Sequence, residues 1–249
     1  MNSYVALWKP GDQDLFWHVG LSFDEFKQTT NDFHKLGYRI TSLDVDDEGL
    51  FTAIWKRGDY AQFWVRVDSN EIDSQIKHFD KKGCRMAYIA YENDQVTMVF
   101  DAGTGDHFYC FGEDFEGFKK LDKKHSEHGL RIHWISIDDD PTISAIWRPG
   151  TGGQFWYLTA SWSEFSALND AHKGAGLLLS CLHKTHDPGV YIGVVHPGTG
   201  DQVFDFAVQH KGLVGENEEL AKKGMELKVL RRLHYDDGGL FPDLRGFER

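Results

Sequence analysis

Cysteine is scarce in this 249-residue chain: Cys84, Cys110 and Cys181 are an odd three with no C-x-x-C spacing. They offer no disulfide framework and read as reduced thiols, the state expected in the cytoplasm. Positive charge is short as well. Lys and Arg number 27 against 39 Asp and Glu, a net charge of −12. That balance argues against a nucleic-acid backbone or an anionic membrane surface as main partner, and reads as a solvated, soluble exterior. The N-terminus, "MNSYVALWKPGD", shows no basic region followed by an apolar stretch, so no secretory leader is expected. No stretch approaches the roughly 18 apolar residues of a membrane span, and "GLLLSCL" (Gly176–Leu182) is at most a buried strand. The "PGTGD" turns are too short for a phosphate-binding Walker loop and lack its Gly-Lys-Ser/Thr ending. His125 with His128, and His183 with His186, stand at i, i+3, but neither pair has a recognised third ligand. No metal and no cofactor is expected.

What is present is repetition. "KPGDQDLFW" (Lys9–Trp17), "KRGDYAQFW" (Lys56–Trp64), "RPGTGGQFW" (Arg148–Trp156) and "HPGTGDQVF" (His196–Phe204) are variants of one string, and "DAGTGDHFY" (Asp101–Tyr109) is a looser copy. Glycines that stop a polar run recur at Gly37, Gly83, Gly129, Gly176 and Gly224, at intervals of 46, 46, 47 and 48. Fifteen residues before each stands a helix N-cap candidate: Ser22, Asp68, Asp114, Ser161 and Gln209, with "SFDE", "DSNE" and "SWSE" as capping boxes. The β-branched and aromatic runs "YVALW", "FTAIW", "VTMVF", "ISAIW" and "YIGVV" read as strands. The Gly/Pro/Asp cluster after each reads as a hairpin turn leading to a second strand that carries an aromatic pair. Helical spacing follows, then a third strand after the glycine.

These signals predict a single α/β repeat domain over 1–249, built from five ββαβ units of about 46–48 residues. The units run roughly 4–50, 51–95, 96–142, 143–190 and 191–239, with 240–249 as a closing tail. A unit this small cannot bury its apolar face alone, so neighbours must stack, as a solenoid, an open half-barrel or a closed five-unit ring. The tail begins Gly239-Leu240-Phe241, matching Gly49-Leu50-Phe51, and is expected to pack on the first unit.

"LGYRITSL", "FTAIWKRG" and "ISAIWRPG" carry a resemblance over essentially the whole chain. The pattern resembles the bacterial tandem repeat domain known as the N-terminal half-barrel region of polyglycine hydrolases. That resemblance implies a half-barrel of repeats and an accessory role. In those hydrolases the reaction belongs to a separate β-lactamase-like serine domain. This sequence has no S-x-x-K accompanied by its partner motifs and no stretch to hold such a domain, so catalysis does not carry over. Five ββαβ units also resemble, by topology alone, the pentein propellers.

Positions alike in all copies read as packing: the aromatic pair (Phe16–Trp17, Phe63–Trp64, Phe108–Tyr109, Phe155–Trp156, Val203–Phe204) and the C′ glycines. Arg39, Arg85 and Arg131 read as salt-bridging or carbonyl-binding groups. Positions that differ in reactive chemistry are the functional candidates. Directly after the aromatic pair come His18, Cys110, Tyr157 and Asp205, a nucleophile–base–orienter set if the copies converge around an axis. In the third strand, Asp44, Ser136, His183 and Arg231 occupy one variable position alongside Ala90. Ser42, Tyr88, Trp134, Cys181 and Val229 precede it by two on the same face. Asp44, Ser136, Cys181, His183 and Arg231 are the candidate ligand-binding residues, and Cys181 with His183 is a possible thiol–imidazole pair. Two functions follow. One is a non-catalytic recognition module that binds a small-molecule, glycan or protein ligand through repeated aromatic and acidic surfaces. The alternative is a small enzyme at the point of convergence.

Overall fold

A computed structural model describes residues 2–12, 14–46, 48–92, 94–103, 106–137, 142–185, 190–206 and 209–234. In chain order the elements are β1 (Asn2–Pro10), β2 (Leu15–Leu21), α1 (Phe23–Lys35), β3 (Tyr38–Val45) and β4 (Phe51–Arg57). Then come β5 (Gln62–Asp68), α2 (Ile72–Asp80), β6 (Cys84–Glu92), β7 (Gln95–Ala102), β8 (Phe108–Glu113), α3 (Phe115–Glu127), β9 (Leu130–Ile137) and β10 (Ile143–Pro149). The chain continues through β11 (Phe155–Thr159), α4 (Trp162–Gly174), β12 (Leu177–Lys184), β13 (Tyr191–Pro197), β14 (Val203–Phe206), α5 (His210–Lys222) and β15 (Met225–His234). The five C′ glycines all have the positive φ that a left-handed helix stop requires, from 71° at Gly83 to 87° at Gly37. Ser22 forms the full capping box with Glu25, and the side chains of Asp114 and Ser161 cap α3 and α4. Asp68 does not cap: its carboxylate accepts from Gln95, and the chain makes a 3-10 turn over Ser69–Glu71 before α2.

The strands form five three-stranded sheets, in the orders β2-β4-β3, β5-β7-β6, β8-β10-β9, β11-β13-β12 and β14-β1-β15. Every pairing is antiparallel. This corrects the expected hairpin. The Gly/Pro turn after "YVALW" or "FTAIW" does not join two paired strands, because both edges of β1 and of β4 are already taken. It carries the chain to the next sheet instead. The hydrogen-bonded unit is strand–helix–strand–strand, β2-α1-β3-β4 and its equivalents, offset by one strand from the ββαβ reading. The first strand of the chain therefore completes the last sheet. The tail, 240–249, lies outside the described residues, and the middle place that its matching segment, Phe51 onward, takes in the first sheet is held in the last sheet by β1.

Middle strands are buried on both faces: Val5 to Trp8, Phe51 to Trp55 and Ile143 to Trp147 contain no half-exposed residue. One face packs on the unit's own helix and the other on the core of the preceding unit. Phe26, Ala53 and Trp55 gather Val99 from β7, and Phe79 and Met98 gather Ile146 from β10. Phe118 and Trp147 gather Ile192 and Val194, and Phe165 and Val195 gather Val5 and Leu7 from β1. The fifth cluster, with Trp8 and Leu213, takes Ile54 from β4. Among the third strands, β3 touches β6, β6 touches β9, β9 touches β12, β12 touches β15, and β15 touches β3.

The recurring string also acquires a physical role. The Gln62 amide accepts from the Ile40 N–H (2.7 Å) and donates to the Ile40 carbonyl (2.9 Å), satisfying the free edge of a strand in the preceding sheet. Gln154 accepts from Ile132 N–H (2.7 Å) and Gln202 from Leu179 N–H (2.9 Å) in the same way. At the copy that carries His107 instead, Arg148 donates to the Met86 and Arg85 carbonyls (3.0 and 2.9 Å). Arg39 and Arg131 each bind three carbonyls, as read from the sequence. Among the described residues no helix is long and apolar enough to cross a membrane.

Candidate functional site

The first-strand set stays apart. His18, Cys110, Tyr157 and Asp205 lie on β2, β8, β11 and β14, each the outer strand of a different sheet. His18 is exposed, its ring 6.0 Å from Phe33 and 5.9 Å from Trp55. Cys110 is buried beside Phe118 and Trp147, and desolvation pushes its thiol up to about 12, which suppresses the thiolate. Tyr157 packs on Phe165 and His172, over Gly193, where a Cβ would lie 2.8 Å from its ring. Asp205 stands beside Glu216 of α5. The four do not form one site. The aromatic pair is also less uniform than packing predicts. Its first members are surface residues, with Phe16, Phe63, Phe108 and Phe155 exposed by 43, 42, 43 and 56%. Each lies against a helix-end ring: Phe33, Phe79, His125 or His172.

The third-strand set is brought together only in part. Arg231 pairs with Asp44 (2.7 Å) and donates to the Ile135 carbonyl (3.3 Å), joining strands from the last, first and third sheets. Ser136 follows Ile135 in β9, opposite Ser144. Cys181 and Arg231 line a cavity of about 460 Å³, together with Ser42, Tyr88, Trp134 and Val229, so all five residues of that strand position face it. The thiol–imidazole pair is not made. Cys181 Sγ donates to the His133 carbonyl (3.4 Å), while His183 Nδ1 accepts from Ile137 N–H (3.2 Å).

A local backbone feature helps shape this cavity. Every third strand breaks register with its middle strand at the same point, leaving one extra residue: Thr41, Ala87, His133, Ser180 and Lys228. A bulge of this kind re-aims a side chain, and four of the five extra residues line the cavity, Ala87 being the exception. The second-to-last residue of the middle strand contributes Lys9, Arg148 and His196. Sequence reasoning missed these two positions. The signal was present in their divergence, since Lys9, Lys56, Asp101, Arg148 and His196 are as unlike as the set that was chosen. The bulges themselves have no composition cue.

The lining is basic. Lys9, Arg131, Arg148, Lys228, Arg231 and two histidines line the cavity, and no aspartate or glutamate does among the described residues. Burial, then Arg148, Arg85 and His196, push His133 down to about 3. Burial first and then the charges of Lys9 and Arg131 lower His196, and its contact with the Ile132 backbone opposes them. Both imidazoles are neutral near pH 7. Burial likewise raises Cys181. No group of three or more His, Cys, Asp or Glu among the described residues is placed to hold a metal ion. His186 lies outside the described residues.

Residues 15–58 match a family model described as "Polyglycine hydrolase-like, structural repeat". The matched span opens at the start of β2 and ends one residue past β4, so it is one sheet with its helix. This similarity is the one expected from the "GYR" and "FTAIW" motifs. No curated protein matches the chain.

Proposed function

We propose that the chain is a non-catalytic recognition module: a closed ring of five units that takes one small polar ligand where its innermost strands meet. The observation that carries this reading is the cavity lining, which draws side chains from β3, β6, β9, β12 and β15 at once. Closure is supported by the seat of β1 between β14 and β15 and by the core contacts that return from the fifth cluster to Ile54. Pockets of 300–1,000 Å³ with a few convergent polar groups are the usual form of small-molecule sites. The neutral Cys181 and His133 weigh against a nucleophile–base pair. A second reading rests on the four exposed phenylalanines, which offer equivalent shallow sites for a multivalent glycan or protein ligand.

Glycan-array and metabolite screening followed by calorimetry separates the two. The cavity reading predicts one site per chain, abolished by Thr41→Trp, which fills a bulge position, and indifferent to Phe63→Ala with Phe108→Ala. Four or five equal sites lost with the phenylalanines would transfer the function to the rim.

A further inference from the structure

Five lysine and arginine side chains and, among the described residues, no carboxylate line this cavity, an unusual arrangement in a protein of net charge −12. Three of the strong bases are neutralised from behind: Arg148 by Asp101 (3.2 Å), Arg231 by Asp44 (2.7 Å) and Lys228 by Glu226 (2.7 Å). Glu226 is shared, because Lys56 also binds it at 2.7 Å. The other two bases have no such partner. Arg131 donates only to carbonyls, and the half-buried Lys9 ammonium has no hydrogen bond or ion pair among the described residues. The Lys9 ammonium is disfavoured first by desolvation; the nearby Cys181 opposes that and Lys228 adds to it. Two groups that can only donate, Trp134 Nε1 and Arg231 Nε, are buried on lining residues without an acceptor. The fold thus holds cations around an open volume, and the missing partner is negative.

We propose, resting on the cavity reading above, that the ligand is a small oxyanion, an organic acid or a phosphate ester. Its charged group meets Lys9 and Lys228, and its body lies along Tyr88, Trp134 and the Thr41 and Ser180 hydroxyls. Bound charge of this sign relieves the Lys9–Lys228 repulsion and raises the Lys9 pKa toward its ordinary value. Affinity therefore falls as pH rises through the depressed Lys9 pKa.

The test is calorimetry on the full chain at fixed ionic strength, with inorganic phosphate, glucose 6-phosphate, glucuronate and uncharged glucose as probes. The two charged sugars separate a phosphate from a carboxylate preference. At least one anionic probe should bind once per chain, with glucose at least about ten-fold weaker. Lys9→Met should weaken that probe by about ten-fold or more without lowering the melting temperature, since it removes a half-buried, repelled ammonium. A glucose affinity equal to the anions', or single-site binding indifferent to Lys9→Met, would overturn the anion assignment and leave the cavity reading standing. Anions bound at several equal sites would overturn the cavity reading itself. No anion binding up to roughly 10 mM would overturn the inference.

Discussion

Asp122 shows how much of this protein rests on single polar residues. From α3 its carboxylate accepts from the indoles of Trp147 (3.0 Å) and Trp156 (2.9 Å) and from the Gln154 amide (2.7 Å). It thus ties the buried middle strand, the next sheet's first strand and the edge-satisfying glutamine to one helix. Asp122→Leu leaves two indoles without an acceptor and the Gln154 amide with Ser126 Oγ alone (3.2 Å), a loss of about 3 kcal/mol. Thermal unfolding should then shift down by roughly 6–12 °C, and Asp122→Asn, which keeps one acceptor, should cost less than half as much. Sequence reasoning passed over this position, although its equivalents by spacing are Thr30, Ile76, Asn169 and Asn217, and Asn217 accepts from the Trp8 indole and Asn169 from the Gln202 amide just as Asp122 does from Trp147 and Gln154. The tryptophans it serves were readable, since their recurrence marks the ends of the middle strands. Phe16 and its counterparts were misread for a related reason. Regular recurrence reports an equivalent environment, and a ring stacked at a helix end is as regular as one in a core.

At the level of elements, strand and helix positions followed from glycine spacing, caps and β-branched runs, all of which are local. Strand pairing did not, because it depends on which edges are already occupied. The Gly/Pro turn has hairpin composition, yet β1 and β4 are flanked on both sides, so the same residues become a crossing between sheets. The outer strand and helix of the last unit provide a test of how such elements pack. Glu216 on α5 is pushed up to about 7, first by desolvation and then by Asp205 beside it on β14. Its folded pKa lies above that of the unfolded chain. Its contribution is therefore fully present below the ordinary glutamate range and is lost as pH rises toward and through 7. Melting temperature should decline between pH 5 and 8 on this account, and Glu216→Gln should flatten that decline and stabilise the protein most at pH 8. An unchanged pH profile in the variant would show that α5 does not press Glu216 against β14.

Across the whole molecule, the array's two ends were the hardest feature to read. The tail repeats the start of a middle strand, and sequence logic gave it the closing task. The structure gives the middle of the last sheet to β1, paired with β15 from Asn2 opposite His234 to Pro10 opposite Met225 with one bulge at Lys228. Of the third-strand candidates Cys181 and Arg231 line one cavity and none of the first-strand candidates does, because the third strands touch one another in succession. The account stands on that closure: if β1 did not bind β14 and β15, the innermost strands would not surround a single cavity. Hydrogen–deuterium exchange over Tyr4–Trp8 measures it directly. The account predicts that these amides exchange as slowly as those of Phe51–Trp55 and Ile143–Trp147, opening only with global unfolding. Exchange in Tyr4–Trp8 orders of magnitude faster than in those strands would mean an open array, and would contradict both the ring and the site built on it.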